Sequence, residues 1–235
     1  MKIILDAGHG YETPGKRSPD GIREYEINRA IAIYAKDLLA AYQNVSVFFT
    51  HSDKQDIPLK TRTEQANTMN ADCFISIHAN AYGDGTTWNS ANGVETFIHP
   101  VANAETVGLA ELIQKNLYIS TGLRNRGVKR ANFHVLRETK MTAILIECGF
   151  MTNADEMKLL KTDAFRRACA EAIVKGITEK YRLKKKSTSV SAAQAPPAGL
   201  YKVQVGAFKE KKKADELANS LKKQGYDSFI IYEKG

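Results

Sequence analysis

Cysteine is scarce, with only Cys73, Cys148 and Cys169 among 235 residues. An odd count without a CxxC pair excludes a disulfide framework and a cysteine-ligated zinc site, and buried free thiols are the expectation. Long apolar runs are missing as well. No window approaches the roughly 18 to 20 uninterrupted apolar residues of a membrane span. The opening "MKIILDAGHG" meets an acid and glycines where a secretory signal would keep its apolar core. The expectation is a chain synthesised in the cytoplasm without a signal peptide and with no membrane span. Arginine is absent from residues 183–235, although 11 Lys against five acids give that stretch +6 of the net +8. Nucleic-acid binding calls for interleaved aromatics and arginines. A solvated face or an anionic wall polymer suits this lysine-rich tail better.

What is present is enough apolar content, 43%, to bury a core. From "YRLKKKSTSVSAAQAPPAGLYKV" the composition turns to Lys, Ser, Ala, Gln and Pro, which reads as a linker over 183–199 between a domain at 1–182 and a small unit at 200–235. In the first domain, "KIILDA", "VSVFFT", "CFISIHA", "GVETFIH" and "AILIECG" read as strands. Between them "EYEINRAIAIYAKDLLAAY", "LKTRTEQANTM", "AETVGLAELIQKNLYIS", "ADEMKLLK" and "DAFRRACAEAIVKGITEKY" carry helical period. Alternating strand and helix predict an α/β domain with a mostly parallel twisted sheet and helices on both faces. The last 36 residues repeat the logic once, as "LYKVQVGAF", "KKKADELANSLKKQ" and "DSFIIYE", a βαβ unit too small for much core of its own.

In such sheets chemistry gathers beyond the carboxyl ends of the strands. His9 follows the first predicted strand, His78 ends "CFISIH", and Glu147 ends "AILIE". Two imidazoles and a carboxylate from three segments thus fall on one edge. A carboxylate closing an apolar strand is costly unless it is paired or working. Catalytic zinc takes a third protein ligand, and the local candidate is Glu24, at the start of the long helix after a loop able to fold back to His9. Glu26 lies two residues on and faces elsewhere. His51, His99 and His134 sit in ordinary surroundings and read as structural. Cys148, next to Glu147 on a strand, points to the opposite face, which argues against a thiol hydrolase.

The ordered set "DAGHG", "REYEIN", "RTEQAN", "FISIHANA" and "NFHVLRETKMTAILIECGFMTN" resembles the zinc-dependent N-acetylmuramoyl-L-alanine amidases of type 3, over about residues 1–181. The resemblance implies one zinc per chain on His9, Glu24 and His78, with Glu147 as catalytic acid/base. It also implies cleavage of the amide between N-acetylmuramic acid and the L-Ala of a peptidoglycan stem peptide. Thr142 and Cys148 depart from the residues commoner in that family, and neither is a ligand. Arg62, Ser76, Asn80 and Asn153 hold motif positions that packing and hydrogen bonding around the ligands would explain. The loop "NAYGDGTTWNSANG", with the single tryptophan Trp88, either lines a substrate groove or is a bare loop; no substrate-binding residue is assigned.

The tail resembles one half of a SPOR (sporulation-related) peptidoglycan-binding repeat, which is built from two βαβ halves. It then binds wall alone or through pairing in a homodimer. A wall hydrolase that reaches its substrate after membrane breach fits a phage endolysin; the alternative is a mother-cell lysis amidase of sporulation. The reading from another class is a non-catalytic wall-binding protein.

Overall fold

The apolar run at the N-terminus is buried on both faces from Ile3 to Ala7, as a central strand should be. The computed structural model describes residues 1–13, 15–186, 205–223, 225–226 and 228–232. They divide between two compact units, Met1–Ser187 and Thr188–Gly235. In the first, β1 (Lys2–Ala7) leads through a long loop to α1 (Glu24–Leu39), β2 (Ser46–Phe49), α2 (Leu59–Thr68) and β3 (Cys73–Asn80). Then follow β4 (Val94–Ile98), α3 (Ala104–Thr121), β5 (Asn125–Arg130), α4 (His134–Arg137), β6 (Thr142–Phe150), α5 (Ala154–Leu160) and α6 (Asp163–Tyr181).

The six strands form one sheet in the order β2-β1-β3-β6-β4-β5. β2, β1, β3 and β6 are parallel; β4 runs antiparallel to β6, and β5 is parallel to β4. The mostly parallel α/β architecture is as the sequence predicts. Along α1 the buried positions Tyr25, Ile27, Asn28, Ile31, Ala32, Ala35 and Leu39 follow helical period. Together with Leu109 and Ile113 of α3 and Ile173 and Ile177 of α6 they cover Ile3, Leu5, Ile75, Ile77, Ile144 and Ile146. The other face, with Ile4, Phe74 and Leu145, is covered through Ala66 of α2 and Val135 and Leu136 of α4. These two helices are short. Side chains alternate along a strand, so His78 follows Phe74 and Ser76 onto this face, and Glu147 follows Leu145. Both stay partly exposed at the carboxyl edge.

Two features differ from expectation. β5, "NRGVKR", has no apolar run to announce it, because it is a half-exposed edge strand. The linker begins later than Leu183: Leu183 packs on the core, Lys185 bridges to Tyr42, and Lys186 N–H donates to Ala41 O at 2.7 Å. Residues 187–199 of the expected linker lie outside the described residues. In the second unit the expected helix is α7 (Lys211–Lys223). The two flanking strands are not formed over 205–208 and 228–232, and the remainder of "LYKVQVGAF" lies outside the described residues. The physical reason is want of a core: α7 buries none of its residues, and Val205, Ile231 and Tyr232 stay exposed.

Candidate active site

His9 owes its position to a clamped backbone. It sits at φ +67°, in the left-handed region that costs a non-glycine residue energy, and its neighbours supply the restraint. Ala7 N–H donates to His51 Nδ1 at 3.1 Å and Gly8 N–H to Ile77 O at 3.0 Å. Asn28 Nδ2 donates to Gly8 O at 3.2 Å, and the Arg62 guanidinium donates to Ala7 O at 2.6 Å and His9 O at 2.5 Å. Two glycines make room for the rings. A Cβ on Gly8 would stand 2.1 Å from His78 Cε1, and one on Gly15 would stand 2.6 Å from His9 Cγ.

Glu24 is the first residue of α1, and the loop before it returns the helix start to the end of β1. The carboxylate lies between the two imidazoles, with Oε2 3.1 Å from His9 Nε2 and Oε1 2.8 Å from His78 Nδ1. Ligand atoms of His9, Glu24 and His78 all lie within 4.8 Å of one another. Glu24 is 3% exposed, His78 16% and His9 30%, so the set opens to solvent on the His9 side. Burial alone would raise Glu24, but the hydrogen bonds from His78 and His9 outweigh it and hold the carboxyl well below the usual range. Burial opposes a proton on His9, and the contact with Glu24 overrides that, raising its pKa. Glu26 is exposed, outside the set.

While Nδ1 of His78 faces Glu24, its Nε2 lies 3.2 Å from Ser76 Oγ, and Ser76 donates to Asp6 Oδ2 at 2.7 Å. Asp6 is buried and accepts from Thr50 Oγ1 at 2.7 Å and Arg62 Nη1 at 2.8 Å. Burial would raise Asp6, and Arg62 with the two hydroxyls leaves it lowered. A metal-binding histidine commonly donates its second ring N–H to such a partner. Two imidazoles, one carboxylate and this supporting chain make a set that fits a divalent metal of borderline softness.

Glu147 stands beside His78 in the parallel register of β3 and β6. Its Oε2 is sealed from solvent and has no hydrogen-bond partner among the described residues. Burial first, then the negative charge of Glu24, raises its pKa well above the ordinary value. A carboxyl raised by its surroundings beside a metal-ligand set is arranged for proton transfer. Across the next strand Glu95 lies opposite Glu147 and takes hydrogen bonds from Asn80 Nδ2 at 2.8 Å, Arg126 Nε at 2.6 Å, and Lys129 Nζ.

The structure thus brings together His9, Glu24, His78 and Glu147. Arg62, Ser76 and Asn80 support them, while Asn153 caps α5 through the Asp155 and Glu156 N–H groups. His51, His99 and His134 are outside the metal-ligand set. Cys148 faces the opposite side, and its contact with Cys169 and its burial push the thiol well up, away from thiolate chemistry. Trp88 is 45% exposed. Sequence reasoning passed over Asp6, Asn28, Glu95, Arg126 and Lys129. Glu95 had the same signal as Glu147, an acid inside the apolar "GVETFIH".

The family model described as N-acetylmuramoyl-L-alanine amidase matches residues 3–179, and the SPOR domain model matches 170–234. The chain is 37% identical over 232 residues to the sporulation-specific N-acetylmuramoyl-L-alanine amidase of Bacillus subtilis, covering 98% of this chain and 84% of the relative. It is 36% identical over 185 residues to the endolysin of Bacillus phage SPP1, covering 79% and 68%. The crystal structure of an N-acetylmuramoyl-L-alanine amidase from Clostridium difficile 630 superposes with a TM-score of 0.73 at 34% identity, over 77% of this chain and 96% of that one.

Proposed function

The chain belongs to the N-acetylmuramoyl-L-alanine amidase family, and on that premise we propose how its residues carry the reaction. The enzyme hydrolyses the amide joining N-acetylmuramic acid to the L-Ala of the stem peptide. His9, Glu24 and His78 would hold one Zn²⁺, and the observation that carries this reading is the carboxylate of Glu24 set between two imidazoles beside the unpartnered Glu147. When bound, zinc supplies Lewis acidity that polarises the amide carbonyl and acidifies water. Glu147 takes a proton from the attacking water. As the C–N bond breaks, it returns a proton to the leaving amine, so the products are a carboxylate and a free L-Ala amino group. With Oε2 sealed and the residue otherwise partly exposed, the carboxyl is raised toward its protonated form and still reaches water, which suits both halves of the transfer.

Residues 1–186 form the catalytic domain in this proposal, 187–199 the linker and 200–235 a wall-binding SPOR-like half-repeat. The exposed apolar side chains of the second unit support pairing in a homodimer; a monomer by light scattering at micromolar concentration would refute it. Of the two biological settings, phage endolysin and mother-cell lysis in sporulation, the second is favoured. The sporulation-specific relative is matched along 98% of the chain, tail included, and the endolysin along 79%.

The test is zinc counted per chain together with release of L-Ala amino groups from peptidoglycan. The expected result is one zinc, chelator-sensitive release and no new reducing ends. Glu147→Gln should retain the zinc and lose about 10²- to 10⁴-fold in rate. Near-normal turnover in that variant, or full activity without metal, would overturn the assignment.

A further inference from the structure

Beyond Glu147 the edge of the sheet continues as a row of charge. His78 on β3, Glu147 on β6 and Glu95 on β4 are register partners in turn, and β5 adds Arg126 and Lys129. Residues three apart on a regular strand point to opposite faces. Here β5 carries one extra residue, since Val94 pairs with Asn125 but Thr96 with Val128, and Gly127 at φ +79° takes up the bulge. That bulge resets the alternation, so both cations reach the same Glu95 oxygen.

Two cations are more than one buried carboxylate needs. Glu95 is 4% exposed as a side chain, Arg126 27% and Lys129 39%. Arg126 also donates from Nη1 to Asn92 O and lies over the Phe150 ring, 4.9 Å from its centre. Its Nη2 and two of the three Lys129 N–H groups make no hydrogen bond among the described residues. The nearby Glu156 is occupied by the backbone N–H groups of Gly93 and Phe150. The pair therefore keeps unused N–H donors at the solvent side of Glu95, two strand spacings or about 10 Å from β6 before side-chain reach is counted.

We propose that Arg126 and Lys129, held by Glu95, form a specificity subsite for a carboxylate on the leaving peptide. The carboxylate is the free α-carboxylate of an acidic second stem residue joined through its side chain. The inference rests on the amidase reading. In this proposal the leaving peptide runs along the sheet edge from β6 toward β5, where one residue of extended chain, about 3.3 to 3.6 Å, and the reach of the Arg126 and Lys129 side chains together bridge the separation.

The experiment compares kcat/KM on peptidoglycan whose second stem residue is the free acid with peptidoglycan in which that carboxyl is amidated. Hydrogen bonds to charged groups predict a preference of about 10- to 100-fold for the acid, expressed mainly in KM. Arg126→Gln and Lys129→Gln should each move the ratio toward one, and Arg126→Lys should restore part of it. Lys129→Gln, at the more exposed position, keeps the test valid if loss of Arg126 disturbs folding. Equal rates of the wild type on both polymers, or a preference unmoved in both variants, overturns the subsite. Hydrolysis of neither polymer instead overturns the amidase reading on which it rests.

Discussion

Arg62→Met tests whether the active-site backbone is held by one buried cation. Arg62 is 2% exposed and donates to four acceptors: Asp6 Oδ1 at 2.8 Å, and the carbonyls of Ile57 at 2.8 Å, Ala7 at 2.6 Å and His9 at 2.5 Å. Methionine fills much of the space and supplies none of these bonds. Asp6, 1% exposed, would keep only the hydroxyls of Thr50 and Ser76. Breaking a buried pair from one side costs about 3 to 5 kcal/mol, a large part of the roughly 5 to 15 kcal/mol that holds a domain folded. For a chain of this size that is a fall in Tm of about 6 to 20 °C. The pH dependence gives a second reading. In the wild type Asp6 is lowered, so its contribution is present above the unfolded carboxyl value of about 3.9 and is lost as pH falls through the folded value. In the variant burial prevails and Asp6 rises, so protonation relieves the buried charge and the stability gap to wild type narrows from pH 7 toward pH 4. Adding Asp6→Asn to the variant should recover part of the loss. Urea unfolding at several pH values is the assay. A gap under about 1 kcal/mol at pH 7, or one that fails to narrow on acidification, would refute the reasoning.

Gly8→Ala places a methyl 2.1 Å from His78 Cε1, so the ring must shift. Zinc affinity, measured by competition with a chromophoric chelator, should fall about 10- to 100-fold while circular dichroism stays that of the folded chain; unchanged affinity would mean that Gly8 does not secure the ring. His51 is lowered by burial to about 4 from 6.5. The unfolded chain then binds the extra proton first, so stability falls as pH drops from about 6.5 to about 4 and levels off below. His51→Asn, which keeps an acceptor for the Ala7 N–H, should flatten that part of the stability curve, and an unchanged slope would assign it to another group.

The architecture was legible wherever local pattern and burial agree. Short both-faces-apolar runs such as "KIILDA" and "AILIE", rich in isoleucine, read as central strands, and the period of "EYEINRAIAIYAKDLL" reads as a helix with one apolar face. From those alone His9, His78 and Glu147 fall toward one edge, because each closes or follows an apolar run, although β3 continues to Asn80 and β6 to Phe150. Glu24 was less accessible, since an acid opening a helix is ordinary; the family resemblance pointed to it, and only the folded loop sets its carboxylate between the two rings. The β5 strand stayed hidden because an edge strand owes little to burial. So did Asp6 and Asn28, which meet Gly8, Arg62 and Ser76 across 20 to 70 positions of the chain. Residue type and periodicity are local properties, and they determined the elements, their layering and the edge that carries the chemistry. The contacts that hold His9 in a left-handed turn, and the bulge that turns Arg126 and Lys129 onto one carboxylate, join distant segments; only the tertiary structure decides them.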